Sequence, residues 1–168
     1  MSLRPLSMQC ASALLATAFL TISLPAAAGL QVQFIEPERY TDAHLDRSYG
    51  TDERVLQIIE RHLQGLAGRC LGPGDALQIR VLDIDLAGQQ EWWNNAGSYN
   101  LRTMREGTWP RISLAYSLGR SNGENTEARE RVSDMNYLGN SIHVRADGMP
   151  LPYERVMLTD WFERKFCR

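Results

Sequence analysis

The chain has 168 residues, and 18 lysines and arginines face 20 aspartates and glutamates, for a formal net charge of −2. That length suits one domain with its own hydrophobic core, and the nearly balanced, slightly acidic charge excludes the basic footprint of a nucleic-acid-binding protein. The chain contains no phosphate-cradling glycine loop and no G-x-S-x-G nucleophile elbow, so no cofactor is predicted and acyl-transfer chemistry has no warrant.

The N-terminus reads as an export signal. Arg4 supplies the charged start, an apolar run extends from Cys10 to Leu24, and Ala26, Ala27 and Ala28 form a small-residue cleavage site. The apolar run is about fifteen residues, short of the roughly 20 that a bilayer-spanning helix needs. Residues 1–28 are therefore predicted to be removed after Ala28, leaving residues 29–168 as one soluble periplasmic domain without a transmembrane segment. Cys10 precedes most of the apolar run, where a lipid-anchoring cysteine would follow it. Its removal leaves Cys70 and Cys167, and an oxidising compartment predicts that they form a disulfide.

In the mature region, Leu30, Val32 and Phe34 alternate with polar residues as a first strand that Pro37 stops. A polar, turn-rich stretch, Glu36 to Gly50, reads as an ordered loop. Thr51 is placed to cap a helix on which Val55, Leu56, Ile58, Ile59, Leu63, Leu66 and Ala67 recur at three- and four-residue spacing, with Gly68 and Gly72-Pro73-Gly74 ending it. Leu77, Ile79 and Val81 then share a face, but the apolar set passes to Leu82, Ile84 and Leu86, which predicts a bulge or a strand buried on both faces.

Residues 87–99 are polar apart from Trp92, Trp93 and Tyr99. Two strands are expected at Leu101–Arg105 and Ile112–Leu118, with a turn at Glu106-Gly107. Ser121-Asn122-Gly123 turns the chain into a third, Thr126–Val132. A last helix opens at Pro152, with Val156, Met157, Trp161 and Phe162 inward and Glu154, Arg155, Glu163 and Arg164 outward. Trp109 and Trp161 read as core. The order implies a single α+β domain, with an antiparallel or mixed sheet of about four to five strands under two helices.

Five segments taken together, Val32–Pro37 with Tyr40–Ala43, Asp83–Gly88, Trp109–Ile112, Val132–Tyr137, and Tyr153–Arg155 through Leu158–Phe162, resemble one known family, the proteobacterial domain of unknown function DUF3016. The resemblance runs over essentially the whole mature chain. It implies an exported, periplasmic bacterial protein and brings no activity or catalytic residues.

Among chemical constellations, Asp83 and Asp85 lie two apart on a strand and share a face, so they could hold a cation, a partner or an arginine. Pairing with arginines is the favoured role. Asp134 joins them as a candidate acidic face if its turn comes near; its plainest role is to cap backbone amides, with Tyr137 packing beside it. Asp42, His44 and Asp46 are competent ligands without a fixed fourth partner, with His62 and His143 the remaining histidines, and no metal site is assigned. Trp92, Trp93 and Tyr99 could form an aromatic platform for a sugar ring or a protein, although an indole folded over the sheet is the simpler role. The leading reading is a non-catalytic module that binds an envelope protein or cell-wall component. The alternative is a periplasmic hydrolase using clustered carboxylates.

Overall fold

The computed structural model describes residues 29–45, 50–90, 102–140 and 149–167. The predicted cleavage site, Asp46, Trp92, Trp93, Tyr99 and His143 lie outside these residues. Strand β1 (Gly29–Phe34) leads through a short 3-10 turn at Pro37–Arg39 to helix α1 (Glu53–Cys70). Strand β2 (Ala76–Asp85) follows, then two short strands, β3 (Gln89–Gln90) and β4 (Arg102–Thr103). A hairpin of β5 (Arg111–Gly119) and β6 (Asn125–Ser133) precedes helix α2 (Pro152–Phe166).

The main sheet has the order β1-β2-β5-β6, with β1 and β2 parallel and the other pairs antiparallel. The parallel pair needs a crossover, and α1 supplies it. The fold is therefore a mixed α+β sheet with two helices. Both helices seal the same face. Val55, Ile59, Leu63 and Leu66 of α1 meet Leu77, Ile79, Leu114 and Leu118 of the sheet, and Met157, Leu158, Trp161, Phe162 and Phe166 of α2 complete the core. Tyr116 stacks edge-on against Trp161 and Phe166, with ring centroids 6.0 and 5.2 Å apart. Glu130 of β6 accepts hydrogen bonds from Trp161 Nε1 at 3.1 Å and Lys165 Nζ at 2.7 Å, fastening α2 to the edge strand.

Strand β2 carries the predicted phase change as a bulge: Val81 opposes Leu114 and Asp83 opposes Ser113, which leaves Leu82 without a partner. The Val81 carbonyl accepts Ile35 N–H at 2.9 Å and Tyr40 O–H at 3.0 Å, and burial pushes the Tyr40 phenol up to about 12.

Several local expectations are corrected. Asp52, not Thr51, caps α1, accepting Arg54 N–H at 2.8 Å, while the Thr51 hydroxyl donates to the Pro37 carbonyl. Helix α1 runs through Gly65 and Gly68 to Cys70, because separated glycines weaken a helix without stopping it. Among the described residues of the strand expected at Leu101–Arg105, Arg102–Thr103 are extended, and they pair with β3 in a separate ladder rather than with β5. Trp109 is half-buried, with the Arg111 guanidinium 5.0 Å from its ring centroid. Trp161 is a core residue.

Cys70, at the end of α1, is joined to Cys167, the residue after α2, with Cα atoms 4.3 Å apart and a sequence separation of 97. Beside this link, Asp75 is buried and accepts Ser121 N–H at 3.0 Å, Gly72 N–H at 3.1 Å and Arg120 Nη1 at 2.9 Å. Those amides and the guanidinium hold its carboxyl below the usual range. The Cys70→Ser/Cys167→Ser protein is expected to lose up to about 4 kcal/mol of stability by the loop-entropy argument. Urea unfolding of the two proteins measures the loss, and equal midpoints would show that the link constrains nothing the fold does not already fix.

Candidate functional site

Parts of the five segments that carry the family resemblance, drawn from the whole length of the chain, meet at one end of the sheet. Thr41 sits beside the bulge and gives both its amide and its hydroxyl to Asp83, at 2.8 and 3.0 Å. Asp42 then bridges to the end of β2: its N–H donates to Ile84 O at 2.8 Å and its carbonyl accepts Leu86 N–H at 3.1 Å. Asp85 faces β5, where Arg111 donates to it from Nε at 2.8 Å and Nη2 at 2.6 Å. Asp134, just past β6, accepts Asn136 N–H at 2.9 Å, while its own N–H donates to Pro110 O at 3.4 Å. Tyr137 is fully buried, donates to Arg105 O at 2.7 Å and stands edge-on to Tyr153 at 4.9 Å.

The three candidate acids are thus brought to one end of the sheet but not into one cleft. Asp83 is occupied by Thr41, Asp85 by Arg111, and Asp134 by the turn that it initiates. They lie on successive parts of the ladder: Asp85 opposes Arg111, Arg111 opposes Ser133, and Asp134 follows. A full strand therefore separates Asp85 from Asp134.

The most densely bonded residue here is Arg102, which the sequence reading did not single out. Its guanidinium, 10% exposed, donates to Ala87 O and Gly88 O at 2.8 Å each and to His44 O at 3.2 Å, and it pairs with the Asp42 carboxylate. His44 Nδ1 lies 3.3 Å from Asp42 as well. One planar fork thus ties the loop after β1, the end of β2 and the base of the β3–β4 ladder together, a geometry that lysine cannot reproduce. Gly88 sits inside this knot at φ 73°, and a Cβ there would lie 2.6 Å from Met104 Sδ. Asp42 and His44 therefore serve Arg102, and among the described residues no group of three or more His, Cys, Asp or Glu side chains could hold a metal ion.

Glu154 was expected outward and is instead 2% exposed. It accepts the buried Ala87 N–H at 2.6 Å. Burial, above all, raises its pKa above the ordinary glutamate range, with the Arg102 charge opposing and Asp42 reinforcing the shift. The signal that could have found it is its spacing, three and four residues before Met157 and Leu158, which extends the apolar stripe of α2 by one turn.

A separate feature lies on the other side of the helices. Arg61, His62 and Arg69 of α1 and Arg155 of α2 line a groove of about 500 Å3. His62 Nε2 is 3.0 Å from both the Arg155 carbonyl and Thr159 Oγ1, and Arg155 Nε donates to its Nδ1 at 3.5 Å. Burial lowers the His62 pKa and the Arg155 and Arg69 charges lower it further, partly offset by the bond to the Arg155 carbonyl.

The family described as "Protein of unknown function (DUF3016)" matches residues 28–164. No curated protein and no solved structure matches the chain.

Two outcomes follow for the buried cluster. Arg102→Ala and Arg102→Lys are both expected to lower stability, the first by about 3 kcal/mol, because Asp42 loses its partner; full stability of the lysine variant in a urea titration would disprove the fork. Glu154 is raised in the folded state, so its stabilisation is complete in acid and fades as pH rises through the folded pKa, at most about 1.4 kcal/mol per pH unit. Glu154→Gln keeps an acceptor without the charge and is expected to gain on the wild type as pH rises. Glu154→Ala is expected to lose about 1–3 kcal/mol at acid pH, where Ala87 N–H is left unpaired.

Proposed function

The chain belongs to the DUF3016 family, and we propose that its mature domain is an exported, non-catalytic module that binds a component of the cell envelope. The observation that carries this reading is the fate of the carboxylates. Asp83, Asp85 and Asp134 have separate structural partners, whereas a general acid and base must converge on one reacting group within hydrogen-bond reach. A hydrolase built on these acids draws no support from that arrangement.

Export rests on the apolar run and the alanines that precede residue 29, with cleavage after Ala28 and a periplasmic destination. The Cys70–Cys167 link agrees with an oxidising compartment. No helix among the described residues is long and apolar enough to cross a membrane.

The binding surface follows from where the aromatic residues fall in the chain. Residues 91–101 connect β3 to β4, and Arg102 locks the base of that ladder through Ala87, Gly88 and Asp42. A connection fixed at its base loses less entropy when it engages a partner. Trp92, Trp93 and Tyr99 lie within it and offer large contact area for a protein or a sugar ring.

The test is crosslinking of a tagged copy in intact cells, followed by affinity purification and mass spectrometry. A reproducible envelope partner that disappears in the Trp92→Ala/Trp93→Ala protein is the expected result. A partner retained at wild-type yield by that variant would move the surface elsewhere, and no partner above background would overturn the binding reading.

A further inference from the structure

Strand β6 is the outermost strand of the main sheet, and its far side carries a row of backbone groups that no strand among the described residues pairs. Which groups these are follows from the two ends of the β5–β6 hairpin. Arg120 N–H donates to the Glu124 carbonyl at 2.8 Å, and Asp134 N–H donates to the Pro110 carbonyl at 3.4 Å. Hydrogen-bonded pairs recur at every second residue of an antiparallel ladder, so Thr126, Ala128, Glu130 and Val132 bond to β5. The amides and carbonyls of Asn125, Glu127, Arg129, Arg131 and Ser133 therefore point outward, and all five residues are exposed.

An unpaired edge of this length is a template for another strand. Proline or a bulge would guard it, and β6 has neither: it keeps an unbroken register with β5 from Asn125 to Ser133. Its charges are also of both signs. A single sign along the edge would repel a second copy in every register, whereas Glu127, Arg129, Glu130 and Arg131 repel one in most registers and attract it in one.

Two copies of β6 related by a twofold axis run antiparallel, with residues of one face opposite residues of the same face. With the axis at Ala128, Glu127 of each copy lies opposite Arg129 of the other, and Thr126 lies opposite Glu130. An axis at Glu127 or at Arg129 sets that residue against itself, and an axis at Glu130 sets Arg129 against Arg131. The Arg129 guanidinium has no ion pair among the described residues, and Glu127 receives a 3.4 Å hydrogen bond from Ser117 Oγ, so both charges are available to a partner. Ala128 then meets its own copy at a non-hydrogen-bonded position, where Cα atoms come within about 4.5 Å and a small side chain fits.

We propose that the protein forms a twofold dimer by antiparallel pairing of β6 with β6 of a second copy, centred on Ala128, so that the two main sheets become one. The pairing closes on two copies, because each contributes the same strand and neither has another edge of that kind. The remaining edge, β1, is partly covered where Gln64 of α1 donates to the Leu30 carbonyl at 3.2 Å. Nothing in this dimer depends on the aromatic segment or on envelope binding.

The experiment is sedimentation velocity of the purified protein from about 1 to about 500 μM, a range that spans the affinities of small interfaces. A monomer–dimer equilibrium is expected. Glu127→Arg and Arg129→Glu each set like charges opposite one another and are expected to weaken the dimer about tenfold or more. An equimolar mixture of the two variants recovers it, because each altered residue then faces the other. Ala128→Cys is expected to yield a disulfide-linked dimer on oxidation, which reads the register directly. Melting curves establish that each variant is folded. A monomer at every concentration, a dimer of undiminished strength in folded Arg129→Glu, a mixture no stronger than its components, or failure of Ala128→Cys to crosslink would overturn the proposal.

Discussion

The architecture turns on one unpaired residue, Leu82, in the middle of strand β2. Side chains of a strand alternate with period two, so the face that carries Leu77, Ile79 and Val81 would continue with Asp83 and Asp85. Without the bulge, those two carboxylates would point under the helices, at a desolvation penalty of several kcal/mol each (~), and Ile84 would point to water. One extra residue reverses the parity. Ile84 and Leu86 then join the core, and Asp83 and Asp85 move to the opposite face, where Thr41 and Arg111 satisfy them. The bulge is itself stabilised, since the Val81 carbonyl accepts both Ile35 N–H and the Tyr40 hydroxyl. The loop after β1 is thereby drawn to the strand end, and Asp42 arrives beside Arg102.

The two ends of the domain are closed by different physics. At one end a covalent link joins the terminus of α1 to the residue after α2, with the buried Asp75–Arg120 pair next to it. Arg120 also donates to the Phe166 carbonyl at 3.3 Å, so the β5–β6 turn, the start of β2 and the end of α2 share one anchor. At the other end there is no covalent link among the described residues. Arg102, Asp42 and Glu154 hold it through hydrogen bonds to backbone carbonyls and amides that regular strands would otherwise have paired. Such a polar cluster depends on every member, because removing one leaves the others buried and unpaired.

Residues whose role is set by their neighbours in sequence were legible. Helix α1 announced itself through its three- and four-residue spacing, the phase change in β2 through a switch of parity, the β5–β6 hairpin through Ser121-Asn122-Gly123, and the disulfide through the count of cysteines left after Cys10. Residues whose role is set by a distant partner were not. Glu154 reads as a surface acid until Ala87, 67 residues away, is known to need an acceptor. Arg102 reads as one arginine among many because its acceptors are carbonyls, and every residue has a carbonyl. Thr51 and Asp52 are both competent caps, and the choice was made by the Pro37 carbonyl, which takes the threonine hydroxyl. Of the candidate acids, the residue types and shared face were visible in the sequence; that each would be consumed by a structural partner was not.

The distribution of charge follows from the same pairing. Acidic residues outnumber basic ones in the chain as a whole, yet Asp42, Asp75, Asp83, Asp85 and Glu154 are turned toward donors of the fold itself. Three of those donors are arginines, Arg102 for Asp42, Arg111 for Asp85 and Arg120 for Asp75. The Arg102 and Arg120 side chains are 10% exposed and that of Arg111 is 35% exposed, so salt screens the first two pairs least. Loss of one partner from either of them would leave a charge stranded away from water, which is why these two pairs, more than the exposed one, fix the two ends of the sheet.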